Sequence, residues 1–202
     1  MLLVWACWTK CEPLSRNPFP VLYLIACGSR PAADLPEFIA YAQAQGWQVC
    51  VVATPAALRF LDVHRVEEVT GYPVRHDYKQ PDEVDVLPAP HAYLVAPATF
   101  NTINKWAGGA SDTLALGLLN EALGLRMPIL AAPFVNSGLA QHPAFLRAIR
   151  ELDDAGVRLV FDPERYRLPV PNQGATSREL FPWQAVRDEL VHLRGRVGRP
   201  AW

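Results

Sequence analysis

Two segments of this chain set neutral hydrogen-bonding side chains directly after apolar runs. Pro97-Ala98-Thr99-Phe100-Asn101-Thr102 follows Ala92-Tyr93-Leu94-Val95, and Pro133-Phe134-Val135-Asn136 follows the run Met127 to Ala132. Where such a loop opens a helix, free backbone N–H groups and the positive end of the helix dipole converge, so hydroxyls and amides placed there can hold an anion. Gly28-Ser29 and Thr54-Pro55 close two earlier apolar runs in the same manner. Taken singly, Gly-Ser serves any tight turn and Thr54 can be a helix cap. Capping is a poor account of asparagines at two strand ends, since Asn101 and Asn136 offer paired amide donors and acceptors in one cleft. A phosphorylated cofactor is the natural ligand of such a set.

The elements that must position these loops are legible as alternating patterns. Val21 to Cys27 is continuously apolar, and Leu35, Phe38, Ile39 and Ala42 trace one face of a helix that Gly46 stops. Trp47 to Thr54 predicts the second strand, completing a βαβ unit. A helix is expected over Pro55 to His64, with Pro in its first turn. Tyr72 to Tyr78 predicts a short strand, and Gln80 to Pro90, broken by three prolines, a loop or very short helix. After the strand at Ala92 to Ala96 come a helix from about Thr102, interrupted near Gly108-Gly109, and a Leu- and Ala-rich run from Asp112 to Leu123. Then follow a strand at Met127 to Ala132, a helix at His142 to Ala155, a strand at Val157 to Phe161, a loop at Pro163 to Gly174 and a closing helix at Trp183 to Gly195. Strands and helices alternating at these lengths predict an α/β fold: a single-domain, three-layer, doubly wound parallel sheet over residues 21–202, preceded by an N-terminal arm at 1–20. Ligands of such sheets sit beyond the carboxyl ends of the strands.

Composition bounds the remainder. The 202 residues are half apolar with a formal net charge of −1, which suits one sizeable core and supplies no basic face for nucleic acid. No apolar stretch is long enough for a bilayer, and the first residues lack the pattern of a signal peptide. Cys27 and Cys50 fall in buried strands as small hydrophobes, and Cys7 and Cys11 lack a partner pair at zinc spacing, so no metal is expected. A reduced, cytoplasmic setting fits the cysteines.

The Gly28-Ser29 turn, the Pro97 to Thr102 loop with Ile103-Asn104-Lys105-Trp106-Ala107-Gly108-Gly109-Ala110-Ser111-Asp112 behind it, and the Pro133 to Asn136 loop resemble the homo-oligomeric flavin-containing cysteine decarboxylases. That family includes phosphopantothenoylcysteine decarboxylase and the lantibiotic-processing decarboxylases. Its signatures are a Gly-Ser turn, a Pro-Ala-Ser-Ala-Asn-Thr loop and a Pro-x-Met-Asn-x-x-Met-Trp loop. The resemblance covers about Val21 to Phe161 and implies a Rossmann-like flavoprotein fold. It implies FMN held by Gly28, Ser29, Thr54, Thr99, Phe100, Asn101 and Thr102, with its ring near Ala132. Asn101 would approach both flavin and substrate, and Asn136 would bind a substrate carboxylate. It also implies assembly as a homotrimer or a multiple of trimers, with a small molecule or peptide C-terminus as substrate. In that family the cofactor carries the redox step and carbon dioxide leaves.

The departures are specific. The family's catalytic His, about a dozen residues before the Asn loop, falls on Glu83 here. The third loop keeps Pro133 and Asn136 but loses both Met and the Trp, and no Cys follows Cys50. His76, beside Asp77, and His91 are the nearest substitutes, because imidazole serves as acid or base near neutral pH. A surface or hydrogen-bonded role is the alternative for each, and Glu83 can act as base only where its cleft raises its pKa. The leading expectation is therefore an FMN-dependent decarboxylase or oxidoreductase with Asn101 and His76 as catalytic candidates. The alternative is a flavin-binding or regulatory subunit without chemistry of its own. A prenyl transferase acting on FMN shares the architecture, but its Ser-Met-Lys-like loop is absent from Pro97 to Thr102. The Tyr166 to Gly174 loop could close over a substrate.

Overall fold

Strands that are apolar at every position must be covered on both faces. The computed structural model, which describes residues 19–80, 82–172 and 177–197, arranges them so. β1 (Val21–Ala26), β2 (Gln48–Ala53), β3 (Ala92–Ala98), β4 (Ile129–Pro133) and β5 (Arg158–Leu159) form one parallel sheet in the order β2-β1-β3-β4-β5. Every residue of β1 and β3 is buried. Alternation divides them between two cores. Leu22, Leu24, Val49, Val51, Leu94 and Leu130 face the side covered by α1 (Leu35–Ala44), α2 (Val63–Thr70) and α7 (Trp183–Arg196). Tyr23, Ile25, Val52, Tyr93, Val95 and Ala131 face α3 (Phe100–Ala107), α4 (Leu114–Gly124) and α6 (Pro143–Asp154). The result is the expected three-layer α/β sheet. Each fully buried Leu or Ile of these strands contributes about 1.5–3 kcal/mol relative to exposure.

The chain leaves β1 toward β2 on one side, then returns to place β3 on the other. The carboxyl ends of β1 and β3 therefore splay their following loops apart, which makes the crevice where such sheets bind ligands. Gly28-Ser29 and Thr99 to Thr102 flank that crevice.

Several boundaries differ from the sequence expectation. In place of one helix over Pro55 to His64 there is a single 3-10 turn at Ala57–Arg59, and α2 begins only at Val63. Asp62 restarts the helix by accepting the Arg65 N–H at 3.0 Å, and Gly71 ends it at φ 73°. Tyr72 to Tyr78 contributes only the bridge Arg75 to Val52 along the outer side of β2, because Pro73 has no N–H to extend it. The described part of Gln80 to Pro90 is irregular and is tied down by Lys79 to Asp85 at 2.8 Å and by the Tyr23 hydroxyl to the Pro88 carbonyl at 3.0 Å. β4 starts at Ile129, since the Met127 N–H still closes α4 on Ala122 and Arg126 is left-handed at φ 55°. β5 keeps two residues of the expected five at the sheet edge. Of the N-terminal arm, only Phe19 and Pro20 lie within the described residues; Cys7 and Cys11 lie outside them.

Candidate functional site

Thr99 sets the central loop. Its extended backbone and hydroxyl make it the N-cap of α3, with Oγ1 accepting the Thr102 N–H at 3.4 Å. The helix thus begins at Phe100, two residues earlier than expected, and Phe100, Asn101 and Thr102 are its first turn. The three side chains diverge. Thr102 is buried, with its hydroxyl 3.0 Å from that of Thr99 and near the Cys27 thiol. Burial raises the Cys27 thiol above its usual range, so it stays protonated and joins the end of β1 to the α3 turn. Phe100 turns toward α6, where its ring stacks on Phe145 at 5.9 Å and meets His142 edge-on at 5.5 Å. Asn101, alone of the three, is exposed at the start of α3.

The neighbouring loop is shaped by close approach. A Cβ on Gly28 would lie 2.8 Å from the Ala56 Cβ and 3.0 Å from its backbone, so only glycine lets the loops after β1 and β2 touch. Ser29 has the extended geometry of a helix N-cap yet makes no side-chain cap bond, leaving its hydroxyl for another acceptor or donor. Thr54 is nearly buried beside it, with its N–H on the Ala26 carbonyl at 2.8 Å. Ala132 is fully buried inside β4. Asn136, three residues past β4, caps α5 (Ser137–Ala140), its Oδ1 accepting the Leu139 N–H at 2.9 Å.

Capping therefore does occur at both loops, through Thr99 and Asn136, against the sequence argument that it could not explain the pair. It leaves Asn101 unexplained and commits only the oxygen of Asn136. Gly28, Ser29, Thr54, Thr99, Asn101 and Asn136 all lie at the carboxyl edge of the sheet. Their donors are hydroxyls, amides and backbone N–H groups, with no carboxylate among them, a composition that suits an anionic ligand.

The acid–base candidates fare differently. His91 lies at the opposite edge, where its Nδ1 accepts the Val21 N–H at 3.1 Å, and burial lowers its pKa. His76 is exposed one residue past the Arg75 bridge, so it stands three strand spacings from β3, about 14 Å. Glu83 is exposed and accepts the Gln80 N–H at 3.1 Å. Among the described residues no group of His, Cys, Asp and Glu could hold a metal ion.

Two features had no sequence signal. The Arg178 guanidinium and the Trp183 indole both bond Asp34, which ends the 3-10 turn opened by Ser29. Phe181 packs edge-on against Phe134 at 5.4 Å, so the segment before α7 fastens the loops after β1 and β4 to each other. His142 is the second: as the N-cap of α6 it sits against Phe100, one residue from Asn101.

Comparison with known proteins bears on the family and the fold. Over 136 residues, 63% of this chain, the sequence is 32% identical to the coenzyme A biosynthesis bifunctional protein CoaBC of Mycobacterium bovis and covers 31% of that protein. It is 29% identical over 136 residues to phosphopantothenoylcysteine decarboxylase of Arabidopsis thaliana, covering 63% of this chain and 64% of that protein. The match thus spans about a third of the length of the bacterial relative. In fold the chain is similar to the FMN-dependent cysteine decarboxylase SpaF, with a TM-score of 0.65 and 23% identity over 88% of this chain and 98% of that one. No helix among the described residues is long and apolar enough to cross a membrane. With the sequence pattern of the Flavoprotein family matched from residue 13 to residue 195, the chain belongs to that family.

Proposed function

We propose that this chain binds FMN in the crevice between β1 and β3 and serves a decarboxylase-type reaction on a small carboxylated, cysteine-derived substrate or a peptide C-terminus. The observation that carries the reading is the convergence of Gly28-Ser29, Thr54 and the Thr99 to Asn101 turn on one edge of the sheet in a chain of the Flavoprotein family. The Gly28 backbone, which no side chain may crowd, and the uncommitted Ser29 hydroxyl suit a phosphate. Thr54 and Thr99 line the same edge, and the backbone N–H groups of Phe100 and Asn101 open toward it. Thr102 serves from beneath by holding the turn, and Ala132 supplies buried backbone under the site. FMN, when bound, supplies a reversible two-electron redox step. Asn101 presents an amide that can both donate to and accept from flavin and substrate. The Asn136 Nδ2 is the group left to meet a substrate carboxylate, since its oxygen caps α5.

The relatives' names support the chemistry, being a phosphopantothenoylcysteine decarboxylase and an FMN-dependent cysteine decarboxylase. A homotrimer or multiple of trimers in the cytoplasm belongs to the same proposal, with residues 21–202 as one domain behind an N-terminal arm. The apolar α4 (Leu114–Gly124), with Leu114, Leu118 and Leu123 only partly buried, suits a subunit contact. His76 keeps an acid–base role only where a neighbouring subunit carries it to the site. The placement of Glu83, His76 and His91 favours a second reading, a flavin-binding subunit that does not decarboxylate alone. The test is the visible spectrum of the purified protein and the identity of the heat-released chromophore. Anaerobic mixing with cysteine-ended peptides and pantothenoyl-cysteine derivatives follows, reading flavin bleaching and carbon dioxide. A colourless protein that takes up no FMN refutes the flavin reading, and yellow protein inert to every substrate leaves the second.

A further inference from the structure

We propose, on the reading of the carboxyl edge as the flavin site, that Asp34 is a positioning residue for FMN. Clasped by Arg178 and Trp183, it fixes the turn that opens at Ser29 in the shape that receives the flavin phosphate.

Between β1 and α1 the chain makes one 3-10 turn, Arg30–Asp34, with Ser29 as its N-cap. Buried Pro31 and Ala32 fix its middle, and the Ala32 N–H donates to the Ser29 carbonyl at 3.0 Å. Asp34 ends the turn and is also the N-cap of α1, a position where the carboxylate ordinarily accepts a backbone N–H of the first helical turn. Here it makes no such bond. Both oxygens are taken instead by side chains 144 and 149 residues further on: Oδ1 accepts from the Arg178 guanidinium, through Nε at 2.7 Å and through Nη2, and Oδ2 accepts the Trp183 indole N–H at 3.1 Å. All three bonds attach the turn to the segment before α7 and to the start of that helix.

The indole is itself held in place. Its ring is seated between Phe38 of α1 at 4.9 Å and Phe181 at 4.5 Å, and Phe181 meets Phe134, just past β4, at 5.4 Å. A frame of this kind holds the far end of the turn still, so Gly28 and Ser29 at its near end keep one conformation for a phosphate. A loose turn would have to be ordered as the phosphate binds, and that ordering weakens affinity. Arg178 also neutralises a carboxylate in a loop that must receive an anion, so geometry and charge have to be told apart. They make opposite predictions for Asp34→Asn. Removing the negative charge alone would tighten FMN binding. Loss of the clasp weakens it, because an amide nitrogen then replaces one of two acceptors that both face donors.

The test titrates apoprotein with FMN and with riboflavin, which shares the ring and ribityl chain and lacks the phosphate. Asp34→Asn and Arg178→Gln should each weaken FMN binding about fivefold or more while riboflavin affinity stays within about twofold, so that the preference for FMN narrows. Trp183→Phe keeps the ring between Phe38 and Phe181, removes only the N–H, and should act in the same direction to a smaller extent. Glu189→Gln breaks a similar ion pair, with Arg158 between β5 and α7, and should leave the preference unchanged. Tighter FMN binding by Asp34→Asn assigns the effect to charge and overturns the proposal. Equal weakening of FMN and riboflavin, or the same narrowing in Glu189→Gln, marks a general loss of structure and overturns it too. Asp34→Asn and Arg178→Gln proteins that bind FMN like the parent overturn it while the flavin reading stands. A parent that takes up no FMN refutes the flavin reading, and this inference with it.

Discussion

Gly28→Ala should damage the protein and its cofactor affinity together. The new Cβ would meet Ala56 Cβ at 2.8 Å and the Ala56 carbonyl carbon and oxygen at 3.0 Å. Carbon atoms pack at about 3.5–4.0 Å, so the loops after β1 and β2 must part by roughly 1 Å. Two of the three contacts are backbone, so rotating a side chain cannot relieve them. Overpacking of this kind costs about 1–3 kcal/mol, and for a chain of this size each kcal/mol lowers the melting temperature by about 2–4 °C. Where the apoprotein relaxes by opening the loops, FMN must pull them back, and about 1.4–3 kcal/mol of that cost weakens binding roughly ten- to hundredfold. Differential scanning fluorimetry and titration of apoprotein with FMN read the two effects. Gly28→Ala with Ala56→Gly removes the 2.8 Å contact and leaves the backbone contacts, so partial recovery is expected. A Gly28→Ala protein that melts and binds FMN like the parent refutes both the close-packed turn and its place in the site.

Three further outcomes are expected. Gly195→Ala, in α7 with no atom within 4 Å of the new methyl, should stabilise the fold by about 0.5–1 kcal/mol through helix propensity; thermal melts should show it, with FMN affinity unchanged. Asn101→Asp puts an acid in the first turn of α3, which the helix dipole favours, so the melting temperature should hold while the negative charge drives FMN off; equilibrium dialysis at matched pH decides it, and full retention of FMN would remove Asn101 from the site. Glu189, held below its ordinary value of 4.5 by Arg158 through bonds of 2.7 and 2.9 Å, adds stability that is complete above that value and lost as pH falls through the lowered one. Urea melts of the parent and Glu189→Gln should therefore differ at pH 7 and converge in strong acid; a constant gap would contradict the assignment.

The unbroken apolar runs of β1 and β3 can be buried only in a sheet covered on both faces, and alternation with helices then makes that sheet parallel. Residue types alone also marked the strand-end loops, because glycine, hydroxyl and amide side chains after such runs have few other uses. Boundaries were less legible where a single contact decided them: the Asp62 cap that delays α2, the Arg126 backbone that delays β4, the Thr99 cap that draws Phe100 and Asn101 into a helix. The site divided along the same line. The sequence by itself determined the fold class, the family and the edge on which Gly28, Ser29, Thr54, Thr99 and Asn101 meet. The tertiary structure decided which of their groups remain available. It commits the Asn136 oxygen to a cap, buries Thr102 under Cys27, sends His91 to the far edge and brings His142 onto Phe100. The Asn136 cap is local, but the other outcomes depend on contacts between residues tens of positions apart, and such contacts follow from the path of the whole chain and leave no local pattern.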